Sequence, residues 1–175
     1  MIIFSHPKKP AFSLIEIMVI ISIVLVGMLG VMSLLLQNLK AQSINKNRFV
    51  AYQMAQEGIE TVRLARDTYA VNAEVFLLAY PYGEYSYSYQ TALTPMTADD
   101  QMAVCIDADG FYNDYLSCEN AASKSTIFRR KLILSHGVDD GGNQFLTVKS
   151  EVYWMEKEKE DSYTLETQLY DWYTQ

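Results

Sequence analysis

Glu16 is the only ionisable side chain between Phe12 and Leu36, in the run FSLIEIMVIISIVLVGMLGVMSLLL. About 20 apolar residues in a helix span the hydrocarbon core of a bilayer, so this stretch is long enough to cross one. A carboxylate inside such a segment costs roughly 2.5–3.5 kcal/mol to insert. Its presence calls for a partner charge, and no other side chain in the run supplies one. The partner must come from another chain or from an amino terminus created beside it. Opposite charges attract far more strongly at low dielectric than in water, which makes Glu16 a candidate assembly residue.

Few other residues carry chemistry. Cys105 and Cys118 are the only cysteines, both beyond the apolar run. An even count in an exported domain is consistent with a disulfide; the alternative is two free thiols. Closing a loop of this size is worth about 3 kcal/mol in the chain-entropy picture. Asp107, Asp109 and Asp114, in the stretch Asp107-Ala108-Asp109-Gly110 with Asn113 nearby, are candidate calcium ligands. The full EF-hand pattern is absent, and the alternative is a tight turn whose Asp side chains bond their own backbone. With His6 and His136 the only histidines, zinc sites and Cys–His or Ser–His catalysis lack their parts. His136, beside Gly137, reads as a loop residue. No glycine-rich phosphate loop occurs, so neither an enzyme nor a cofactor other than calcium is expected.

Charge excludes another class. Twelve of the 14 basic and 20 of the 21 acidic residues lie beyond Leu36, a net charge of −8 there. Nucleic-acid phosphates call for Lys and Arg, so no nucleic-acid partner is expected. The one basic cluster, Phe128-Arg129-Arg130-Lys131, is split by strand alternation and reads as a solvated strand.

These residues need elements to position them. The apolar run is too long for a secretory signal, and no small-residue cleavage pattern follows it. A polar collar, from Gln37 to Asn47, marks where the chain would leave lipid. Beyond it Ala51, Ala55, Ile59 and Val62 recur on one helical face, away from Gln53, Glu60 and Arg63, and helix character fades at Asp67. Gly27 and Gly30 are weak points in the span, small enough to let neighbouring helices approach. Five strands are expected: the Tyr85, Tyr87, Tyr89 alternation, Gln101–Ile106, Ile127–Ser135, Phe145–Met155 and Ser162–Tyr173. Turns fall at 107–110 and 139–143, and the charged 156–161 stretch makes a hairpin tip. Phe128, Arg130, Leu132 and Leu134 share one face, as do Leu146, Val148, Val152 and Trp154. A sheet with one apolar face needs a cover, and the stripe around Ala55 and Ile59 provides it. The fold class is α+β, a long helix on a small antiparallel sheet. Lysines and arginines flank the span on both sides, so the positive-inside count leaves orientation open.

Lys8-Lys9-Pro10-Ala11 followed at once by Phe12-Ser13-Leu14-Ile15-Glu16 resembles the class III leader of type IV pilins and pseudopilins. The resemblance implies a cut between Ala11 and Phe12 on the cytoplasmic side, by a prepilin peptidase that also methylates the Phe12 amine. Where the family usually has Gly before the cut, this chain has Ala11. The stretch Ala51 to Glu60 with Arg63, Arg66 and Asp67 is similar to the helix of minor pilins and pseudopilins. Val152-Tyr153-Trp154 and Leu165 to Trp172 are similar to their last hairpin. The implied layout is a leader at 1–11, a transmembrane half-helix at 12–36, an amphipathic half at 37–68 and a sheet domain at 69–175. The implied partners are the prepilin peptidase/methyltransferase, other pilins or pseudopilins in a filament, an inner-membrane assembly platform and the lipid bilayer. Glu16 would pair with the Phe12 ammonium of a neighbour or of its own chain. The chain would sit in the inner membrane, N-terminus cytoplasmic and sheet domain outside, before joining a pilus or pseudopilus. The rival reading is a membrane-tethered binding domain that never polymerises and holds calcium or another ligand.

Overall fold

The structure, a computed structural model, describes residues 13–71, 80–88, 93–119 and 123–170. The chain divides into two units, Met1–Ser43 and Ile44–Gln175, and one helix, α1 (Leu14–Val71), contributes to both. In the first unit the carbonyl of Ser13 starts the helix, accepting the N–H groups of Glu16 at 3.0 Å and Ile17 at 3.2 Å. Every described residue from there to Ser43 is exposed. Gly27 and Gly30 face open space.

In the second unit α1 lies on an antiparallel sheet that, among the described residues, has seven strands. These are β1 (Gly83–Ser86), β2 (Thr94–Pro95), β3 (Ala103–Ile106), β4 (Tyr112–Asn113), β5 (Lys124–Val138), β6 (Gln144–Glu156) and β7 (Lys159–Tyr170). The long β5 organises the sheet. Its N-terminal half pairs with β3 and its C-terminal half with β1 along one edge, while β6 takes the other edge and β7 lies outermost. β2 extends β1, and β4 extends β3. Short 3-10 turns at Asp99–Met102 and Tyr115–Glu119 flank β3 and β4.

Turn chemistry sets the registers. Asp107 and Asp139 open two turns built alike. In each, the Asp carbonyl accepts the N–H of a glycine with positive φ, Gly110 (φ 91) or Gly142 (φ 83). That is a type I turn closed by a left-handed residue, a conformation glycine adopts without strain. Lys157 and Glu158 both have positive φ, 52 and 79, between the paired residues Glu156 and Lys159. A two-residue turn of this handedness matches the twist of its strands.

The core is one face of α1 against one face of the sheet. Ala51, Met54, Ala55, Ile59 and Val62 are buried, at the spacing of a single helical stripe. Opposite them lie Phe128, Leu132 and Leu134 of β5, Leu146, Val148, Val152 and Trp154 of β6, and Leu169 of β7. Gly58 is the point of closest approach. A methyl group there would lie 2.8 Å from Ser150 Oγ, 2.9 Å from Tyr87 Cζ and 3.0 Å from Leu132 Cδ2. The Tyr87 ring cannot yield easily, because its hydroxyl donates to the Met54 carbonyl at 2.6 Å. Gly58→Ala gains about 1 kcal/mol of helix propensity but overpacks at a cost of about 1–3 kcal/mol. The expected result is a net loss, read as a lower denaturation midpoint; a higher midpoint would refute the tight contact.

Several expectations are corrected. The helix does not end at Asp67 but continues to Val71. Thr68 is accommodated in the helix, its hydroxyl bonded back to the Leu64 carbonyl at 2.8 Å, as that of Thr61 is to Glu57 at 2.9 Å. Seven strands replace five, because β2 and β4 have two residues each, too short for any periodicity. Residues 99–102 are 3-10, so the strand expected from Gln101 begins at Ala103. The Tyr/Ser alternation does not divide inside from outside: Tyr85, Ser86, Tyr87 and Ser88 are all buried, and Tyr89 lies outside the described residues. His136 is a strand residue paired with Leu146, not a loop residue.

Candidate functional site

Glu16 lies in the first turn of α1, where the partial positive charge of the helix N-terminus favours a carboxylate. Among the described residues it has no ion-pair partner. Around it Leu14, Ile15, Ile17, Met18, Val19 and Ile20 are exposed. This end of α1 is long and apolar enough to cross a membrane, and none of its most apolar stretch is buried against protein. Ser22, the one hydroxyl near Glu16 in the helix, is satisfied by the Met18 carbonyl at 2.8 Å. Ala11 and Phe12, the expected cleavage and methylation residues, lie outside the described residues.

Cys105 and Cys118 are joined, with Cα atoms 5.4 Å apart. The bond ties β3 to the Tyr115–Glu119 turn and removes about 3 kcal/mol of freedom from the unfolded chain. Asp107 is occupied by its own turn. Its Oδ1 accepts the N–H groups of Asp109 at 3.0 Å and Phe111 at 2.9 Å, and its Oδ2 accepts Asn113 Nδ2 at 2.8 Å. Asp114 is buried. The described residues bring together no group of three or more His, Cys, Asp or Glu that could hold a metal ion. Asp139 repeats the pattern, accepting from the Gly141 and Asn143 N–H groups and from Asn143 Nδ2. The side-chain bond from Asn143, with the backbone bonds, holds its carboxyl below the usual range. His136 Nε2 lies 3.0 Å from the Tyr80 carbonyl.

Arg130 is the residue that sequence reading misplaced. Far from being solvated, it is 2% exposed and joins helix to sheet. Its Nη1 donates to Glu57 Oε2 of α1 at 3.0 Å, its Nη2 to the Tyr87 carbonyl at 2.8 Å. The guanidinium lies 4.1 Å from the centroid of the Tyr87 ring, a favourable cation–π distance. The signal was present: Arg130 falls on the apolar phase of β5, and an inward arginine must find a carboxylate. Glu57, one position before Gly58, was the available one.

The outer face of the sheet carries a second network that sequence reading missed. Lys131 of β5 bonds Glu84 of β1 at 2.6 Å and lies 4.0 Å from Glu151 of β6, which also bonds Lys149 at 2.7 Å. Arg129 pairs with Glu160 of β7. Tyr153 donates its hydroxyl to Glu151. Burial and that hydrogen bond push the Tyr153 phenol up to about 12. For Glu151, burial opposes ionisation, but bonds from Lys149 and Tyr153 outweigh it and lower the carboxyl. The signs follow. A raised phenol contributes stability below its unfolded value of about 10 that is lost as pH rises to about 12. Glu151 contributes stability above its unfolded value that is lost as pH falls through the lowered one. In an alkaline absorbance titration Tyr153 is expected to ionise near pH 12, and Tyr153→Phe to remove one tyrosine from the high-pH group that Tyr85 and Tyr87, also raised by burial, share. An unchanged titration in the variant would refute the assignment.

Comparison with family models, with curated proteins and with solved structures finds no match.

Proposed function

We propose that the chain is a minor pilin or pseudopilin, a subunit of a type IV pilus or type II secretion filament, cut after Ala11 and assembled through its N-terminal helix. One observation carries the reading: a lone carboxylate, Glu16, in the first turn of α1, whose stretch from Leu14 to Leu36 is otherwise uncharged and wholly exposed. A bilayer satisfies the apolar surface but penalises the charge. A cut before Phe12 would place an ammonium four residues from Glu16, and packing of several such helices would give each carboxylate a neighbour's amine. At low dielectric that pair sets the axial position of an incoming subunit. The α+β second unit, with its helix docked on a disulfide-tied sheet, supports the reading as a folded head.

Mass spectrometry of the N-terminus from native membranes or filaments tests it. A chain beginning with N-methylated Phe12 is expected. An intact Met1 in cells with active prepilin peptidase would overturn the proposal and favour the tethered, non-polymerising domain.

A further inference from the structure

β7 is an edge. It pairs with β6 over 12 residue pairs, from Glu156↔Lys159 to Phe145↔Tyr170, without a register shift, and with no other described strand. The two-residue turn makes Glu156–Lys159 a hydrogen-bonded pair, and bonded and non-bonded pairs then alternate. The N–H and C=O groups of Glu160, Ser162, Thr164, Glu166, Gln168 and Tyr170 therefore point away from β6. Two contacts agree with this phase. The Tyr170 carbonyl is met by Arg66 Nη1 at 3.4 Å, and the Ser162 N–H turns to the carboxylate of Asp161 at 3.2 Å. Thr164, Glu166 and Gln168 form a continuous outward row between them.

Proteins usually blunt such an edge with charged side chains, proline or a bulge, and between Ser162 and Tyr170 the one charge is Glu166. β7 has no proline, no bulge, and no basic residue after Lys159. The core is also open along it. Tyr163, Leu165 and Thr167 face inward yet are only half-buried, whereas Leu146, Val148 and Val152 of β6 are fully buried. Beside the edge runs a groove of about 240 Å³ lined by Ile59, Glu60 and Arg63 of α1 and by Leu165, Glu166 and Thr167. Past Lys159 the strand carries Glu160 and Asp161, already paired with Arg129 and Arg48, and the exposed Glu166.

We propose that the free edge of β7 takes up an extended strand from another polypeptide, one alternating apolar residues with basic ones. Its backbone pairs with Thr164, Glu166 and Gln168. Its apolar side chains cover Tyr163 and, in the groove, Leu165, and its basic side chains lie beside Glu166. Strand addition of this kind takes affinity from main-chain bonds and selectivity from alternate side chains. It does not depend on the filament reading: any partner with such a segment would serve.

The test uses the full chain in detergent micelles and a synthetic peptide about as long as β7, alternating valine with lysine. Amide exchange at Thr164, Glu166 and Gln168 is expected to slow about tenfold on binding, with Tyr163 and Leu165 unchanged. N-methylating the peptide amides that face β7 should abolish binding, while methylating the alternate set should not. Thr164→Pro removes an outward N–H and no bond to β6, so it is expected to keep the melting temperature and lose the peptide. No binding, no slowing at the three amides, equal loss from both methylation patterns, or undiminished binding to Thr164→Pro would each overturn the proposal.

Discussion

Glu16→Val is expected to leave the chain in the membrane and to keep it out of filaments. The two effects have opposite sign, which makes the experiment decisive. Removing the carboxylate relieves an insertion penalty that reaches roughly 2.5–3.5 kcal/mol at the bilayer centre and is smaller toward its edge, so membrane association can only improve. If Glu16 pairs with the ammonium of Phe12, the same change removes the one polar contact available to an otherwise featureless apolar helix. Helices in lipid gain little from apolar contact alone, because lipid tails are as apolar as their side chains. Subunits would then lack both the attraction and the axial register. The measurement is the ratio of chain in sheared filaments to chain in the membrane fraction. Glu16→Gln separates charge from hydrogen bonding: a charge pair is lost in both variants, a neutral hydrogen bond only in valine. Wild-type incorporation of the valine variant would sink the assembly role of Glu16.

Glu57→Ala is expected to destabilise the head unit by about 3 kcal/mol, at the lower end of the range for breaking a buried ion pair from one side. Arg130, 2% exposed, would be left with its charge in the core, while Glu57 itself is 34% exposed. The bond to the Tyr87 carbonyl at 2.8 Å survives the substitution and moderates the loss. For a domain of this size that loss corresponds to a fall of roughly 10 °C in melting temperature, measurable on the full chain in detergent. The double variant Glu57→Leu with Arg130→Met replaces the pair by apolar groups and is expected to recover most of the loss. An unchanged melting temperature in Glu57→Ala would mean that water already solvates Arg130.

The strongly periodic parts of the chain are legible in the sequence. The exposed apolar helix around Glu16 follows from a run with one charge. The buried stripe Ala51, Ala55, Ile59 and Val62 and the inward face of β6 follow from periods that only one packing satisfies. An even cysteine count left a disulfide and two free thiols both open, and the fold joins Cys105 to Cys118. Tertiary structure decided what depends on two segments meeting. Arg130 lay on the buried phase of β5, but only the approach of α1 at Gly58 brings Glu57 to it, and a charge that looks solvated in one strand becomes a helix–sheet clamp. The outer network of Glu84, Lys131, Glu151 and Lys149 links β1 to the β5–β6 hairpin, more than forty residues on, so no local pattern marks it. β2 and β4 exist because β1 and β3 needed partners, and two residues carry no period. Thr68 shows the opposite limit, a residue that favours strands carried on in a helix whose preceding turns pack on the sheet. Local periodicity determined which surfaces are apolar; the meeting of those surfaces determined which charges they enclose, because burial sets the cost of a charge and burial is a property of the assembled fold.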